Sequence, residues 1–299
     1  MRGQIRMIRL AALLVFAGLA GCGSLDALQS RLIFQPSSQQ RPGQAEDSAE
    51  LSEIWLNFRS TVAGAPVRLH GLWLPAADEA QASVALYLHG ARWNVAGSAF
   101  RIRQLQAMGF SVLGIDYRGF GKSDPSLPSE TYAYEDAEAA WRWLAERYPE
   151  RRRFIYGHSL GGAIAIELAS RVNDESGVMV EGTFTSIPDV FASLRFGWLP
   201  LDPLITQRFA AIDKVALIGS PLLVIHGSND RVVPTELGQQ LYAAARPPKR
   251  FILVDEGTHR NAQAKGMRAI GTNMAELFAL DADAAQPLRP VLPVATRDD

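Results

Sequence analysis

The sequence holds one cysteine, four lysines and five histidines in 299 residues, and each scarcity removes a class of function. A lone cysteine, Cys22, can neither close an intramolecular disulfide nor build a thiolate metal site. Thirty Lys plus Arg face 31 Asp plus Glu, for a formal net charge of −1. The basic surplus or stripe of a nucleic-acid binder is therefore missing, and no nucleic-acid partner is expected. No H-E-x-x-H motif and no cluster of His and Cys occurs, so neither a metal nor another cofactor is expected. The stretch Gly119-Phe-Gly-Lys-Ser123 has the ending of a phosphate loop, but the first glycine of that motif would fall on Asp116, which excludes nucleotide binding.

Long hydrophobic runs are also scarce. The N-terminal one, Leu10 to Ala20, is about half the ~20 residues that span a bilayer as a helix. Arg2, Arg6 and Arg9 precede it, and Gly21, Cys22 and Gly23 follow it. A basic start, a short apolar middle and a small-residue end form a secretory signal, expected over residues 1–21. Leu19-Ala20-Gly21-Cys22 resembles the bacterial lipobox, in which the signal is cut before the cysteine and its sulfur receives a diacylglycerol. That resemblance implies lipidation of Cys22, a membrane-anchored lipoprotein of the bacterial cell envelope, and a domain outside the cytoplasm. The plainer alternative is an ordinary secretory signal with an incidental cysteine.

Beyond the signal, residues 22–50 are polar and rich in Gln, Ser and Pro, with an apolar cluster at Leu32-Ile33-Phe34. They are expected to form a tether, the cluster being able to dock. From 51 to 281 short β-prone stretches alternate with helical ones. Strands are expected at 53–59, 67–74, 83–88, 111–115, 152–157, 178–184, 221–226 and 250–254. Val84 to Leu88 and Pro221 to Ile225 are continuously apolar, which suits parallel strands covered on both faces. Helices are expected at 97–108, 133–147, 160–172, 235–245 and 264–280. Two leading strands followed by this alternation define an α/β fold with a doubly wound, eight-stranded, mostly parallel sheet. The interval 185–220 breaks the pattern and is read as a small helical cap, whose apolar residues either line an acyl pocket or pack the cap down. Residues 282–299, with three prolines, are expected to be a flexible tail.

The chemistry concentrates at the end of the fifth strand, in Gly157-His158-Ser159-Leu160-Gly161-Gly162 followed by the apolar run Ala163 to Ala169. This is G-x-S-x-G between a strand and a helix, the setting in which a serine is forced above a sheet. A serine hydroxyl is a weak nucleophile and needs a base oriented by a carboxylate. Of the five histidines, four fall in or against strands or beside the serine; His259 alone lies in a loop after the last strand. Asp230 follows the seventh strand and is the expected acid, with Asp255 and Asp189 as competitors. Backbone N–H groups of Ala91, after the third strand, and Leu160, after the serine, are the expected oxyanion donors.

At these residues the chain resembles the α/β-hydrolase superfamily over nearly all of 51–280. The matching pieces are His89-Gly90, Asp116-Tyr-Arg-Gly-Phe-Gly-Lys-Ser123, Gly157-His-Ser-Leu-Gly161, Gly227-Ser-Asn-Asp230 and Gly257-Thr-His259. The closest likeness is to the serine-aminopeptidase-like, membrane-associated branch, in which a leader like Arg31-Leu-Ile-Phe-Gln-Pro36 precedes the first strand. Two departures stand out: Arg92 and Trp93 occupy a turn that is usually small and polar, and Arg260 follows the base. The resemblance implies a serine hydrolase acting on a small-molecule or lipid-like acyl substrate. Cleavage of carboxylic esters or thioesters through an acyl-enzyme is the favoured reading; a peptidase or amidase, or a non-catalytic hydrolase-like binding protein, is the alternative.

Overall fold

A computed structural model describes residues 25–37, 48–194, 197–200 and 202–280. The expected signal, Cys22 and the C-terminal tail lie outside the described residues. Eight strands form one sheet in the order β1-β2-β4-β3-β5-β6-β7-β8. β1 (Ser52–Arg59) and β2 (Pro66–Leu74) are antiparallel to their neighbours. β3 (Val84–Leu88), β4 (Ser111–Ile115), β5 (Arg153–His158), β6 (Gly177–Glu181), β7 (Leu222–Gly227) and β8 (Lys249–Val254) run parallel. This is the eight-stranded, mostly parallel sheet that the alternation implied, in the α/β-hydrolase arrangement that the resemblance implied.

The continuous apolar runs divide themselves between two cores by the period-2 geometry of a strand. Val84, Leu86 and Leu88 of β3 face one core, whereas Ala85 and Tyr87 face the other. The first core is closed by α3 (Glu130–Arg147) and α4 (Leu160–Ala169), the second by α2 (Ala99–Ala107) and α7 (Ala262–Phe278). α6 (Thr235–Ala244) covers β7 and β8 on the first side. α3 starts where the Ser129 hydroxyl accepts the Tyr132 N–H at 3.2 Å. It carries Glu130 in its first turn and Arg147 in its last, matching the helix dipole at both ends.

Two departures from the sequence expectation bear on the site. The sixth strand ends at Glu181, three residues early, because Gly182 turns outward with φ of +55° and brings the chain against Asp230 and His259. Residues 25–34, expected within a polar tether, are helical and form α1. Asp26 accepts hydrogen bonds from Thr206 and Gln207, and Gln29 bonds the backbone at Leu204 and Thr206. At the end of α1, Phe34 is fully buried between Phe120 and Phe209, with ring centroids at 6.2 and 5.6 Å. The polar side chains in this stretch are partners for the 204–207 segment, which no local composition signal reveals.

The described residues of the region 185–220 include a short helix α5 (Ile187–Ala192) and 3-10 turns at Asp202–Leu204, Ala211–Asp213 and Val215–Leu217. Phe209, Ala211 and Val215 pack it down, whereas Leu194, Trp198, Leu199 and Leu204 are exposed. Among the described residues no helix is long and apolar enough to cross a membrane.

Because Phe34 fills core volume, Phe34→Ala is expected to cost about 3–5 kcal/mol, read as a drop in the urea midpoint of the full chain. A loss below about 0.5 kcal/mol, the size of an ordinary surface change, would return this segment to the status of a tether.

Candidate active site

β5 delivers the chain to Ser159 in a backbone conformation, φ 55° and ψ −121°, that an L-residue adopts only under constraint. The constraint is close approach of three backbones. A Cβ on Gly157 would come within 2.2 Å of the Gly161 carbonyl oxygen, and one on Gly161 within 2.0 Å of the Leu88 carbonyl oxygen. The Ser159 N–H donates to the Glu181 carbonyl at 2.9 Å, and Thr183 Oγ1 donates to the Ser159 carbonyl at 2.9 Å, so the end of β6 and the residues just after it hold the turn from the side.

The serine hydroxyl meets a histidine and the histidine meets a carboxylate. Ser159 Oγ lies 2.9 Å from His259 Nε2, and His259 Nδ1 lies 2.7 Å from Asp230 Oδ2. Burial alone would raise the Asp230 carboxyl. Hydrogen bonds from His226 and His259 and from the Val233 N–H outweigh it and hold the group well below the usual carboxylate range. Its second oxygen accepts the N–H groups of Val232 and Val233 at 2.8 and 2.9 Å. Of the competing acids, Asp189 accepts from Thr185 and Ser186 at the start of α5, and the Asp255 carboxylate accepts the Glu256 N–H. Asp230 is therefore the carboxylate on the histidine.

The turn after β3 flanks the serine. A Cβ on Gly90 would stand 3.0 Å from Ser159 Cβ, which places Ala91 one residue from contact with the nucleophile. Neither the Ala91 N–H nor the Leu160 N–H has an acceptor among the described residues. Arg92 and Trp93, which depart from the usual small turn, both adopt positive φ, 73° and 64°. They are held from two sides. The Arg92 N–H donates to the Phe34 carbonyl at 2.7 Å, and Pro36 bridges to Trp93 beside it. The Val95 N–H donates to Asp116 Oδ1 at 2.7 Å. Asp116 itself is fixed by His70 Nδ1 at 2.7 Å. The leader and the loop after β4 thus meet at the turn expected to bind an oxyanion.

Sequence reasoning missed the support beneath the base. Arg101 of α2 pairs with Glu181 at the end of β6 through Nε at 2.9 Å, both side chains being buried. Its Nη2 also donates to the carbonyls of His259 and Arg260 at 3.4 and 3.1 Å. Glu181 in turn accepts from Tyr156 Oη and the Gln263 N–H. Burial would raise the Glu181 carboxyl, but Arg101 wins and holds it down at about 2. A buried charge pair tied to four further groups fixes the loop that carries His259 relative to the sheet. An Arg on the buried side of a helix and a Glu ending an apolar strand were the available signals, since such charges are rarely buried unless paired.

His158 completes the support: its Nε2–H donates to the His259 carbonyl at 2.9 Å, and the two rings lie 5.0 Å apart. Burial and the Arg101 cation push His158 down to about 3.

Comparison with known proteins bears on the family and the fold. Residues 78–209 match the family described as serine aminopeptidase, S33. The protein Rv2307c of Mycobacterium tuberculosis is 31% identical over 237 residues, which cover 79% of this chain and 82% of that one. The chain belongs to the α/β-hydrolase superfamily. Similarity also extends to the lysophosphatidylserine lipase ABHD12 of Macaca fascicularis, 32% identical over 199 residues, covering 60% of this chain and 50% of the lipase. The chain thus matches half of that relative's length. Among solved structures, the esterase Pf2001 of Pyrococcus furiosus superposes with a TM-score of 0.65 at 21% identity, covering 83% of this chain and 97% of the esterase. At that identity the likeness to Pf2001 shows the α/β-hydrolase fold alone.

The depressed His158 has a consequence for stability in acid. The ring stays neutral in the folded chain and protonates near 6.5 when unfolded, so below that pH the unfolded state binds more protons. Its contribution is fully present above pH 6.5 and is lost as pH falls toward 3, by at most ~1.4 kcal/mol per unit. His158→Gln, which keeps a donor for the His259 carbonyl, is expected to flatten the decline. Urea midpoints at pH 7 and pH 4.5 measure it, and equal declines in the two proteins would reject the assignment.

Proposed function

We propose that this protein is a serine hydrolase that cleaves carboxylic esters or thioesters through an acyl-enzyme, held at the bacterial cell envelope by lipid on Cys22. The observation that carries the reaction is the line from Ser159 Oγ to His259 to Asp230 with contacts of 2.9 and 2.7 Å. Ser159 Oγ attacks the substrate carbonyl carbon as its proton passes to His259 Nε2. Asp230, kept ionised by its donors, stabilises the imidazolium and fixes its tautomer. The carbonyl oxygen gains charge between the N–H groups of Ala91 and Leu160, both without an acceptor among the described residues. Collapse returns the proton to the departing alcohol or thiol, and water then releases the acid by the reverse sequence. An oxyanion donor contributes ~2.7–4 kcal/mol to such a transition state.

The name of one relative supports ester chemistry, ABHD12 being a lysophosphatidylserine lipase. The serine-aminopeptidase description of the matching family favours a second reading, amide hydrolysis by the same residues. A chain-length series of p-nitrophenyl esters beside matching amides separates the two.

A fluorophosphonate probe is expected to label Ser159 in the full chain and to fail in Ser159→Ala, with turnover lower by ~10⁴ to 10⁶. A folded protein that takes no label would leave the non-catalytic binding reading in front. Metabolic incorporation of a fatty-acid probe is expected in the parent and absent from Cys22→Ser; equal incorporation in both would remove the lipid anchor.

A further inference from the structure

The docking of α1 changes how far the domain can stand from a membrane. If Cys22 carries the lipid, as proposed above, residue 25, only three positions later, is already helical. Three residues extend at most about 11 Å. The long tether expected from composition is replaced by a link whose reach is comparable to the polar headgroup layer of one leaflet, roughly 5–7 Å, plus one side chain. Whatever side of the domain holds α1 is therefore pressed to the lipid surface.

That side is apolar where it faces outward. Leu28 and Leu32, one helical turn apart, are 54% and 62% exposed, while Ser30 and Phe34 turn inward. Gln29 bonds the Leu204 carbonyl at 2.6 Å, which sets the 53%-exposed Leu204 beside them. Leu194 and Trp198 of the same capping segment are 53% and 77% exposed. Exposed leucines on one helical face are costly in water and suited to a membrane interface, and the exposed indole on the capping segment is of the kind that concentrates there. Arg31, exposed between the two leucines, is placed for lipid phosphates.

We propose that this face, α1 together with Leu194, Trp198 and Leu204, docks on a phospholipid bilayer and turns the active site toward it. The same leader that carries the face continues through Phe34 and Pro36 to the turn at Arg92 and Trp93. The leader thus ties the apolar face to the turn beside Ser159, and in the proposed orientation an acyl substrate enters from the lipid phase. The inference rests on the lipid-anchor reading for its orientation, and the apolar face itself can be tested without the anchor.

The test uses the full mature chain with Cys22→Ser, which removes the lipid, and vesicles of phosphatidylcholine with phosphatidylglycerol. Cosedimentation is expected to show partition of this chain, reduced at least tenfold by Leu28→Glu with Leu32→Glu. Hydrolysis of a soluble short-chain ester should stay unchanged. No partition, or partition indifferent to the glutamates, overturns the proposal. A dimer that the glutamates dissociate, seen by sedimentation, assigns the face to a second copy and also overturns it. On the lipidated protein, brominated lipids should quench the fluorescence component lost in Trp198→Phe, and its absence from quenching overturns the orientation. Failure of ester hydrolysis in every form would instead count against the proposed function and leave the vesicle result standing.

Discussion

Everything in the site depends on the close approach of backbone at Ser159. The turn holds the serine at positive φ with three chain segments in contact around it, and only glycine at 157, 161 and 90 lets those segments meet. The sheet makes the approach possible: β3 and β6 flank β5 in register, Leu88 opposite Gly157 and Glu181 opposite His158. Strain at one residue is stored against the hydrogen bonds of two neighbours, so the hydroxyl is held out from the sheet before any substrate arrives.

The base is positioned by a different kind of force. His259 sits in a loop, and a loop alone would not keep its ring within hydrogen-bond distance of the serine. Arg101 and Glu181 supply the rigidity, because an ion pair withdrawn from water is stable only when its remaining donors and acceptors are satisfied. Here they are satisfied by the loop itself, through the carbonyls of His259 and Arg260 and the Gln263 N–H. Moving the loop would leave buried charges short of partners, a larger penalty than a lost surface contact. His158, kept neutral by burial and by the same arginine, adds one more donor to the His259 carbonyl.

What could be read from the sequence follows from range. The strand runs, the G-x-S-x-G elbow and the histidine in the last loop are local patterns, and their period and punctuation speak for themselves. The order Ser159, Asp230, His259 was legible because each residue follows a strand on the same edge of a parallel sheet, so topology alone brings them together. The supports were not legible. Arg101 and Glu181 are 80 residues apart, and neither position carries a pattern that names its partner. The leader misled for the same reason. Asp26 and Gln29 look like solvated tether residues, yet their acceptors and donors lie some 175 residues away in the 204–207 segment.

That leader ties the other features into one object. Its polar side bonds the capping segment, and its final Phe34 enters the core between Phe120 and Phe209. The next backbone groups then grip the turn at Arg92 and Trp93. Those two residues hold left-handed backbone without the help of glycine, so the turn needs external bonds to keep its shape, and the Phe34 carbonyl and Asp116 provide them from opposite sides. The strained turn and the docked leader are thus mechanically coupled. A bulkier, strained turn is tolerated because a segment outside the sheet stays bound to it, and the serine that this turn faces is mechanically continuous with the N-terminal end of the domain.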